Sequence, residues 1–189
     1  TAYIADVKGL KVAFLGYTAI PGNYEAGSSS TGNAFVKIEP WYPFNEEYVA
    51  QVEKDIKLAK TKADIVIPYF HWSQEYVHEP NEQMRTLAHR AVDAGATMVV
   101  GSHPHWVQGI EWYKDTLIAY SLGNFVFDQE QSMKTKQGVV LSTQFSGGKL
   151  IGAQLVPIQI EQYFQPHLLD GAGATQVLQN IFSSSKWIN

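Results

Sequence analysis

Apolar residues along this chain fall into short runs separated by more polar segments. Continuous apolar runs of this length predict buried strands, and here they lie at residues 11–16, 64–70, 97–100 and 116–120. In the last third, strand-like runs at 138–145 and 150–158 flank the tetrapeptide Ser-Gly-Gly-Lys. Such a short, glycine-containing connection is typical of an antiparallel hairpin.

Apolar positions at helical spacing predict helices between these strands. Asn45 is placed to cap the first helix, which runs to about Lys60, and Asn81 is placed to cap the second. The second helix stops at Gly95, because glycine readily adopts the conformation that ends a helix. A third helix is predicted at 175–182 near the end of the chain.

The order strand, helix, strand over residues 64–100 predicts a βαβ unit with parallel strands. Together with the hairpin, this indicates an α/β fold whose sheet is partly parallel and ends in an antiparallel pair. We therefore expect one α/β domain over residues 1–189.

Composition and charge exclude several classes of protein. The formal net charge is -4, from 14 basic and 18 acidic side chains, so no basic excess points to nucleic acid as a partner. The chain has no cysteine, which excludes disulfides, thiolate zinc sites and a cysteine nucleophile. No apolar run is long enough for a membrane span. The first residue is Thr1 rather than methionine, so we expect a piece of a longer protein.

Polar side chains follow three of the predicted strands at the point where each strand ends. His71 and Glu75 come after the first strand of the βαβ unit, His103 and His105 after the second, and Asn124 after the next one. Parallel strands end at one edge of a sheet, which is where open α/β sheets place their sites. Neutral imidazole is the commonest protein ligand for zinc, iron and similar ions. This convergence predicts a metal site.

Each of these residues also has a simpler interpretation. Any one histidine alone is more often a hydrogen-bonded polar group than a ligand. Four roles are open for Glu75: a metal ligand, a general acid or base, a carboxylate that orients a histidine, or a solvated charge in a loop. Three roles are open for Asn124: a metal ligand, a hydrogen-bond donor to an anion, or a cap within the loop.

Other candidates carry weaker signals. His89 shares a helix face with charged residues, which predicts an exposed side chain, and the remaining histidines lie in loops. Four aromatic residues near the predicted site favour core packing over a binding groove: Trp72, Trp106, Trp112 and Tyr113.

At these residues the chain resembles the bacterial capsule synthesis proteins of the CapA type, which are associated with poly-γ-glutamate production. The segments that carry the resemblance are HWSQEY (71–76), DAGATMVVGSHPH (93–105), QGIEWYK (108–114) and YSLGNFVFDQ (120–129). The family in turn resembles the calcineurin-like metallophosphoesterases. This implies a layered β-sandwich flanked by helices and two divalent transition-metal ions, which would be Mn, Fe or Zn.

The resemblance also implies roles for individual residues. A single histidine after a strand matches His71, and a Gly-x-His-x-His element matches Gly101, His103 and His105. These three histidines are therefore expected to be metal ligands. Glu75 and Asn124 are the expected catalytic residues beside them.

Family members carry an upstream Gly-Asp element and an Asn-x-Glu element that supply oxygen ligands, and neither occurs here in the expected context. The resemblance therefore covers a C-terminal portion that lacks the N-terminal strands, so we expect metal binding by this chain alone to be weak or absent. We expect the surface left by those strands to need a partner, either an N-terminal segment or another copy of the chain.

Two functions follow from the resemblance. One is a metal-dependent phosphoesterase or hydrolase that acts on cell-envelope polymer, with Glu75 moving a proton. The other is a non-catalytic accessory module for capsule polymer assembly or export. Both imply a location at the cell envelope or its extracellular face, with any membrane anchor outside this chain.

Overall fold

The computed structural model describes residues 2–22, 25–27 and 29–185. The strands are β1 (Tyr3–Val7), β2 (Leu10–Thr18), β3 (Ile65–His71), β4 (Met98–Ser102), β5 (Ile110–Tyr113), β6 (Thr116–Ala119), β7 (Gln137–Ser146), β8 (Lys149–Glu161) and β9 (Gln165–Leu168). The helices are α1 (Glu46–Lys60), α2 (Glu82–Asp93) and α3 (Gly171–Ser185).

Six strands form a mixed sheet in the order β1-β2-β3-β4-β6-β5. Strands β2, β3, β4 and β6 run parallel, and the two edge strands run antiparallel to their neighbours. The predicted βαβ unit is confirmed as β3-α2-β4. Its register pairs Thr18 with His71 and His71 with Ser102, so these strands end side by side.

Helices α1 and α2 cover one face of this sheet. Their apolar stripes, which include Val52, Ile56 and Leu87, join strand residues such as Val66 and Phe70 in the largest buried cluster. Both predicted helix caps are confirmed by hydrogen bonds. The Asn45 side chain accepts from the Glu47 and Tyr48 amides, and the Asn81 side chain accepts from the Met84 amide.

The second sheet, β7-β8-β9, is antiparallel and packs on the other face. Leu141 and Phe145 of β7 contact a cluster that includes Ile65, Ile67 and Val100 of the first sheet. The predicted hairpin is confirmed as β7-β8. The expectation that it ends the partly parallel sheet is wrong, because both strands belong to this second sheet. The fold is therefore a mixed α/β fold with a separate three-stranded antiparallel sheet.

Three strands of the structure were not predicted from the sequence, and each of them is short or mostly exposed. Strand β1 is an edge strand whose residues are nearly all exposed. Strand β5 carries the charged Glu111, and it turns into β6 through two residues with positive φ, Lys114 and Asp115. Strand β9 contains Pro166. Edge strands bury few side chains, so their sequences show little apolar patterning.

None of the helices in the described part of the chain is both long and apolar enough to cross a membrane.

Candidate metal site

The carboxyl ends of the parallel strands bring all five predicted residues to one edge of the six-stranded sheet. His71 is the last residue of β3, and His103 and His105 follow β4 directly. Asn124 lies in the segment after β6, and Glu75 lies in the loop after β3. The convergence predicted from the sequence is therefore present in the tertiary structure.

The strand ends approach one another closely because Gly101 has no side chain. A Cβ atom at this position would collide with the Tyr120 carbonyl and with the Trp72 indole. The Trp72 indole N–H instead donates to the Tyr120 carbonyl at 3.0 Å. This buried bond ties the loop after β3 to the end of β6.

The turn that carries the two neighbouring histidines has an uncommon backbone conformation. The φ angles of His103 and His105 are 96° and 58°, in the left-handed region that favours glycine. Ser73 and Tyr76, in the facing loop, also have positive φ angles. Backbone strain of this kind costs of order 1–3 kcal/mol per residue and clusters at functional sites.

The side chains of His71 and His103 are joined by a hydrogen bond. Their Nε2 and Nδ1 atoms lie 3.1 Å apart, and the other nitrogen of His71 lies 3.1 Å from the Ser102 hydroxyl. Burial lowers the pKa of His103 to about 4, with a contribution from His71 and His105. Burial also lowers the pKa of His71, and His105 adds to this effect. Both rings are therefore neutral near pH 7, the state in which a histidine binds metal.

The second nitrogen of His103 is the least satisfied polar atom at the site. His103 is 9% exposed, and its Nε2 is buried without a hydrogen-bond partner among the described residues. Leaving a buried polar atom unpaired costs about 1–3 kcal/mol. A ligand at this position would remove that cost.

His105 faces both Asn124 and Glu75. Its Nδ1 lies 2.8 Å from the Asn124 Oδ1, and its Nε2 lies 3.7 Å from a Glu75 carboxylate oxygen. Ligand atoms of Glu75, His103 and His105 all lie within 4.8 Å of one another. Bonds of about 2.1 Å to an ion such as zinc place tetrahedral ligands roughly 3.4 Å apart. Small side-chain movements would therefore bring these atoms around one ion, and the mixed nitrogen and oxygen set suits a divalent transition metal.

His71 and Asn124 stand apart from that three-residue group. The Nε2 of His71 points at His103. Asn124 is buried, and its amide nitrogen lies 2.9 Å from the Thr135 carbonyl and 3.2 Å from the Gln129 side-chain oxygen. Both ends of the Asn124 amide are thus engaged by protein groups.

Aromatic and amide side chains surround His105 in a way that the sequence did not indicate. The Tyr76 ring stacks on His105 with 5.9 Å between centroids, and the Phe127 ring lies 5.1 Å away. The Tyr76 hydroxyl accepts from the side-chain amides of Gln129 and Gln131. All four residues lie in loops, where no periodicity marks them.

A cleft of about 300 Å³ opens beside His71 on the sheet face. It is lined by Gly16, Thr18 and Tyr69 of the parallel strands and by Asn33. The second sheet packs on this face further from the strand ends, whereas Tyr69, two residues before His71, is exposed. The site is therefore accessible from solvent on this side.

The remaining aromatic residues divide between core and surface. Trp72 is fully buried, in agreement with core packing, whereas Trp112 is exposed. Trp106 is half-buried, with the Lys134 ammonium 4.1 Å from its ring centroid. The aromatic residues as a group therefore do not line one groove.

The expectation that His89 is simply exposed is wrong. Its ring is only partly exposed, with Nε2 2.7 Å from a Glu111 carboxylate oxygen, and it stacks on Tyr113 with 3.9 Å between centroids. The Tyr120 hydroxyl donates to the other oxygen of Glu111 at 2.6 Å. Strand β5, which supplies Glu111 and Tyr113, was not predicted, so neither partner of His89 was foreseen.

Comparisons with known proteins show which family and which proteins this chain is similar to. A family model described as bacterial capsule synthesis protein PGA_cap matches residues 1–129, a range that contains all five predicted site residues. The PGA biosynthesis protein CapA of Bacillus subtilis is 36% identical over 156 residues, covering 82% of this chain and 38% of that protein. The capsule biosynthesis protein CapA of Bacillus anthracis is 33% identical over 159 residues, covering 83% of this chain and 36% of that protein.

A more distant relative is a probable polyglutamine synthesis accessory protein of Mycobacterium tuberculosis. It is 26% identical over 152 residues, covering 77% of this chain and 39% of that protein. The chain therefore spans less than two-fifths of the length of each of these relatives.

Proposed function

Because the chain belongs to the bacterial capsule synthesis protein PGA_cap family, we propose that it forms the histidine-bearing part of a metal-dependent hydrolase, resembling a phosphoesterase, that acts on cell-envelope polymer. The observations that carry this proposal are the buried, unpaired Nε2 of His103 and the group of Glu75, His103 and His105, whose ligand atoms lie within 4.8 Å of one another.

His103 and His105 hold the metal ion through their Nε2 atoms in this proposal. His71 orients His103 through their 3.1 Å contact, or binds a second ion when the rest of the protein is present. Glu75, which is partly exposed, either completes the ligand set or moves a proton to or from the reacting group. A bound divalent ion would polarise the scissile bond and lower the pKa of a water molecule.

The complete protein is proposed to have a metallophosphoesterase-like layered sandwich. Residues 1–189 would be its C-terminal portion, with further oxygen ligands supplied by an N-terminal segment or by another copy of the chain. The chain spans less than two-fifths of the length of these relatives, which supports a further segment in the complete protein. It also accounts for the exposure of Phe14 and Tyr69 on the sheet face that carries His71.

We place the protein at the cell envelope or its extracellular face. The support is the printed names of the relatives, which describe capsule and PGA biosynthesis. The envelope polymer made in that process is then the proposed substrate.

A second function, a non-catalytic accessory module for polymer assembly or export, has one observation in its favour. Phe125, Val126 and Phe127 are exposed next to the site, and such side chains suit contact with a polymer or protein. The word accessory in the name of the mycobacterial relative is consistent with this alternative.

Metal content tests the proposed site directly. The full-length protein and the 189-residue chain are loaded with Mn²⁺ or Zn²⁺, dialysed without chelator and measured by elemental analysis. We expect the double variant His103→Ala/His105→Ala to lose the ion. His167→Ala is the matched control, because His167 lies on β9 in the other sheet. Equal metal content in the wild type and the double variant would disprove the site.

Activity separates the two functions. In the full-length protein with Mn²⁺, turnover of a generic phosphodiester that His71→Ala abolishes would support the hydrolase. Metal binding without turnover with any divalent ion would favour the accessory module.

A further inference from the structure

The hydrogen bonds of Asn124 determine which nitrogen of His105 carries the proton. The Thr135 carbonyl oxygen can only accept a hydrogen bond, and it lies 2.9 Å from the Asn124 Nδ2. This contact orients the amide, because the Nδ2 end must face the carbonyl. The Oδ1 end therefore faces His105.

An amide oxygen is also only an acceptor. The His105 Nδ1 lies 2.8 Å from the Asn124 Oδ1, so this nitrogen must be the donor and must carry hydrogen. In a neutral imidazole, the other nitrogen then has a free lone pair. That nitrogen is Nε2, which faces the Glu75 carboxylate at 3.7 Å.

Four side chains close a ring of contacts that holds this arrangement. Asn124 donates to the Gln129 side-chain oxygen at 3.2 Å, and Gln129 donates to the Tyr76 hydroxyl at 3.4 Å. The Tyr76 ring stacks on His105, which bonds back to Asn124. The loop after β6 and the loop after β3 thus fix the direction of one imidazole together.

We propose that Asn124 is a positioning residue that keeps the proton of His105 on Nδ1 and so presents Nε2 as the metal-binding atom. This differs from the catalytic role expected from the sequence, because Asn124 is buried and fully engaged by protein groups. Groups that hold a ligating histidine in this way typically affect metal affinity 10–100-fold. The metal part of the inference rests on the proposed function, whereas the position of the proton does not.

Two substitutions of Asn124 separate positioning from mere structural support. Asn124→Ala and Asn124→Asp both remove the amide donor to Thr135, so they share that loss. Only Asn124→Asp keeps an acceptor for the His105 Nδ1. Gln131→Ala is the control, because Gln131 bonds Tyr76 but lies outside the ring of contacts.

The readout is the ¹⁵N NMR signal of the His105 ring in metal-free protein at a pH where the imidazoles are neutral. We expect hydrogen on Nδ1 in the wild type, in Asn124→Asp and in Gln131→Ala. In Asn124→Ala the preference should be lost, because nothing then keeps the proton on Nδ1. Hydrogen on Nε2 in the wild type would overturn the inference, even if no variant folds.

Metal titration of the same proteins completes the test. Zn²⁺ affinity should fall roughly 10–100-fold in Asn124→Ala, while Asn124→Asp and Gln131→Ala retain it. Equal weakening in the Ala and Asp variants would show a structural role and contradict positioning. A full-length wild type with the expected proton position but no metal binding would refute the proposed function and leave the assignment of the proton intact.

Discussion

At the scale of single residues, the site depends on positions where a small change has a large physical effect. Gly101 is such a position, because its missing side chain makes room for the Trp72 indole and the Tyr120 carbonyl. The buried hydrogen bond between those two groups ties the loop after β3, which carries Glu75, to the end of β6, which leads to Asn124. A side chain at residue 101 would therefore displace the site as well as the core.

We expect Gly101→Ala to lower the free energy of unfolding by about 3 kcal/mol, from overpacking and loss of the indole hydrogen bond. Gly16→Ala is the matched control, because it lies in the same sheet and a Cβ there meets no atom within 4 Å. Urea unfolding of both variants measures the difference. Equal free energies of unfolding for the two variants would show that the close packing at residue 101 does not contribute to stability.

At the scale of elements, helix α2 is attached to the site through its cap, whereas α1 is not. The Asn81 side chain accepts from the Met84 amide at 2.8 Å and donates to the Ser73 hydroxyl at 3.1 Å. Ser73 is buried and has a positive φ. Within the described part of the chain, the Asn45 side chain accepts hydrogen bonds only from amides of its own helix.

Asn81→Ala and Asn45→Ala should each lose about 1 kcal/mol of stability from the cap. Asn81→Ala should lose about 1 kcal/mol more, because it leaves the buried Ser73 hydroxyl without this partner. Only Asn81→Ala should accelerate hydrogen exchange of the Tyr76 amide, which donates to the Pro104 carbonyl. Unchanged exchange at Tyr76 would mean that α2 does not restrain the site loop.

At the scale of the whole molecule, α3 fastens the second sheet to the first. Val177 and Ile181 pack with Val107 and Val139 in a buried cluster. The Ser185 hydroxyl accepts from the backbone amide of Ile110, at the start of the edge strand β5. The helix thus contacts elements on both sides of the interface between the sheets.

Ile181→Ala should destabilise the protein by about 2–5 kcal/mol, because it leaves a cavity in that cluster. The neighbouring Phe182→Ala should cost clearly less, although the side chain is larger, since Phe182 is 50% exposed and Ile181 only 1%. Denaturant unfolding of the two variants measures this contrast. A larger loss of stability from Phe182→Ala would show that the contact between α3 and the sheets depends on the other face of the helix.

The sequence by itself was enough to predict the strands and helices that have strong local signals. Apolar runs predicted β2, β3, β4 and β6, and asparagine caps predicted α1 and α2, because both signals depend on neighbouring residues. The βαβ order was enough to predict that His71, His103 and His105 lie close together, since parallel strands end at one edge of the sheet.

Only the tertiary structure decided how those residues are paired. The contact between His71 and His103, and the orientation of Asn124 by Thr135, join atoms whose positions depend on how separate loops fold together. The exposed strands β1 and β9 likewise depend on pairing with a neighbour rather than on their own patterning. Spacing along a chain can predict which side chains meet, whereas the atom that each presents is decided by hydrogen-bond partners distant in sequence.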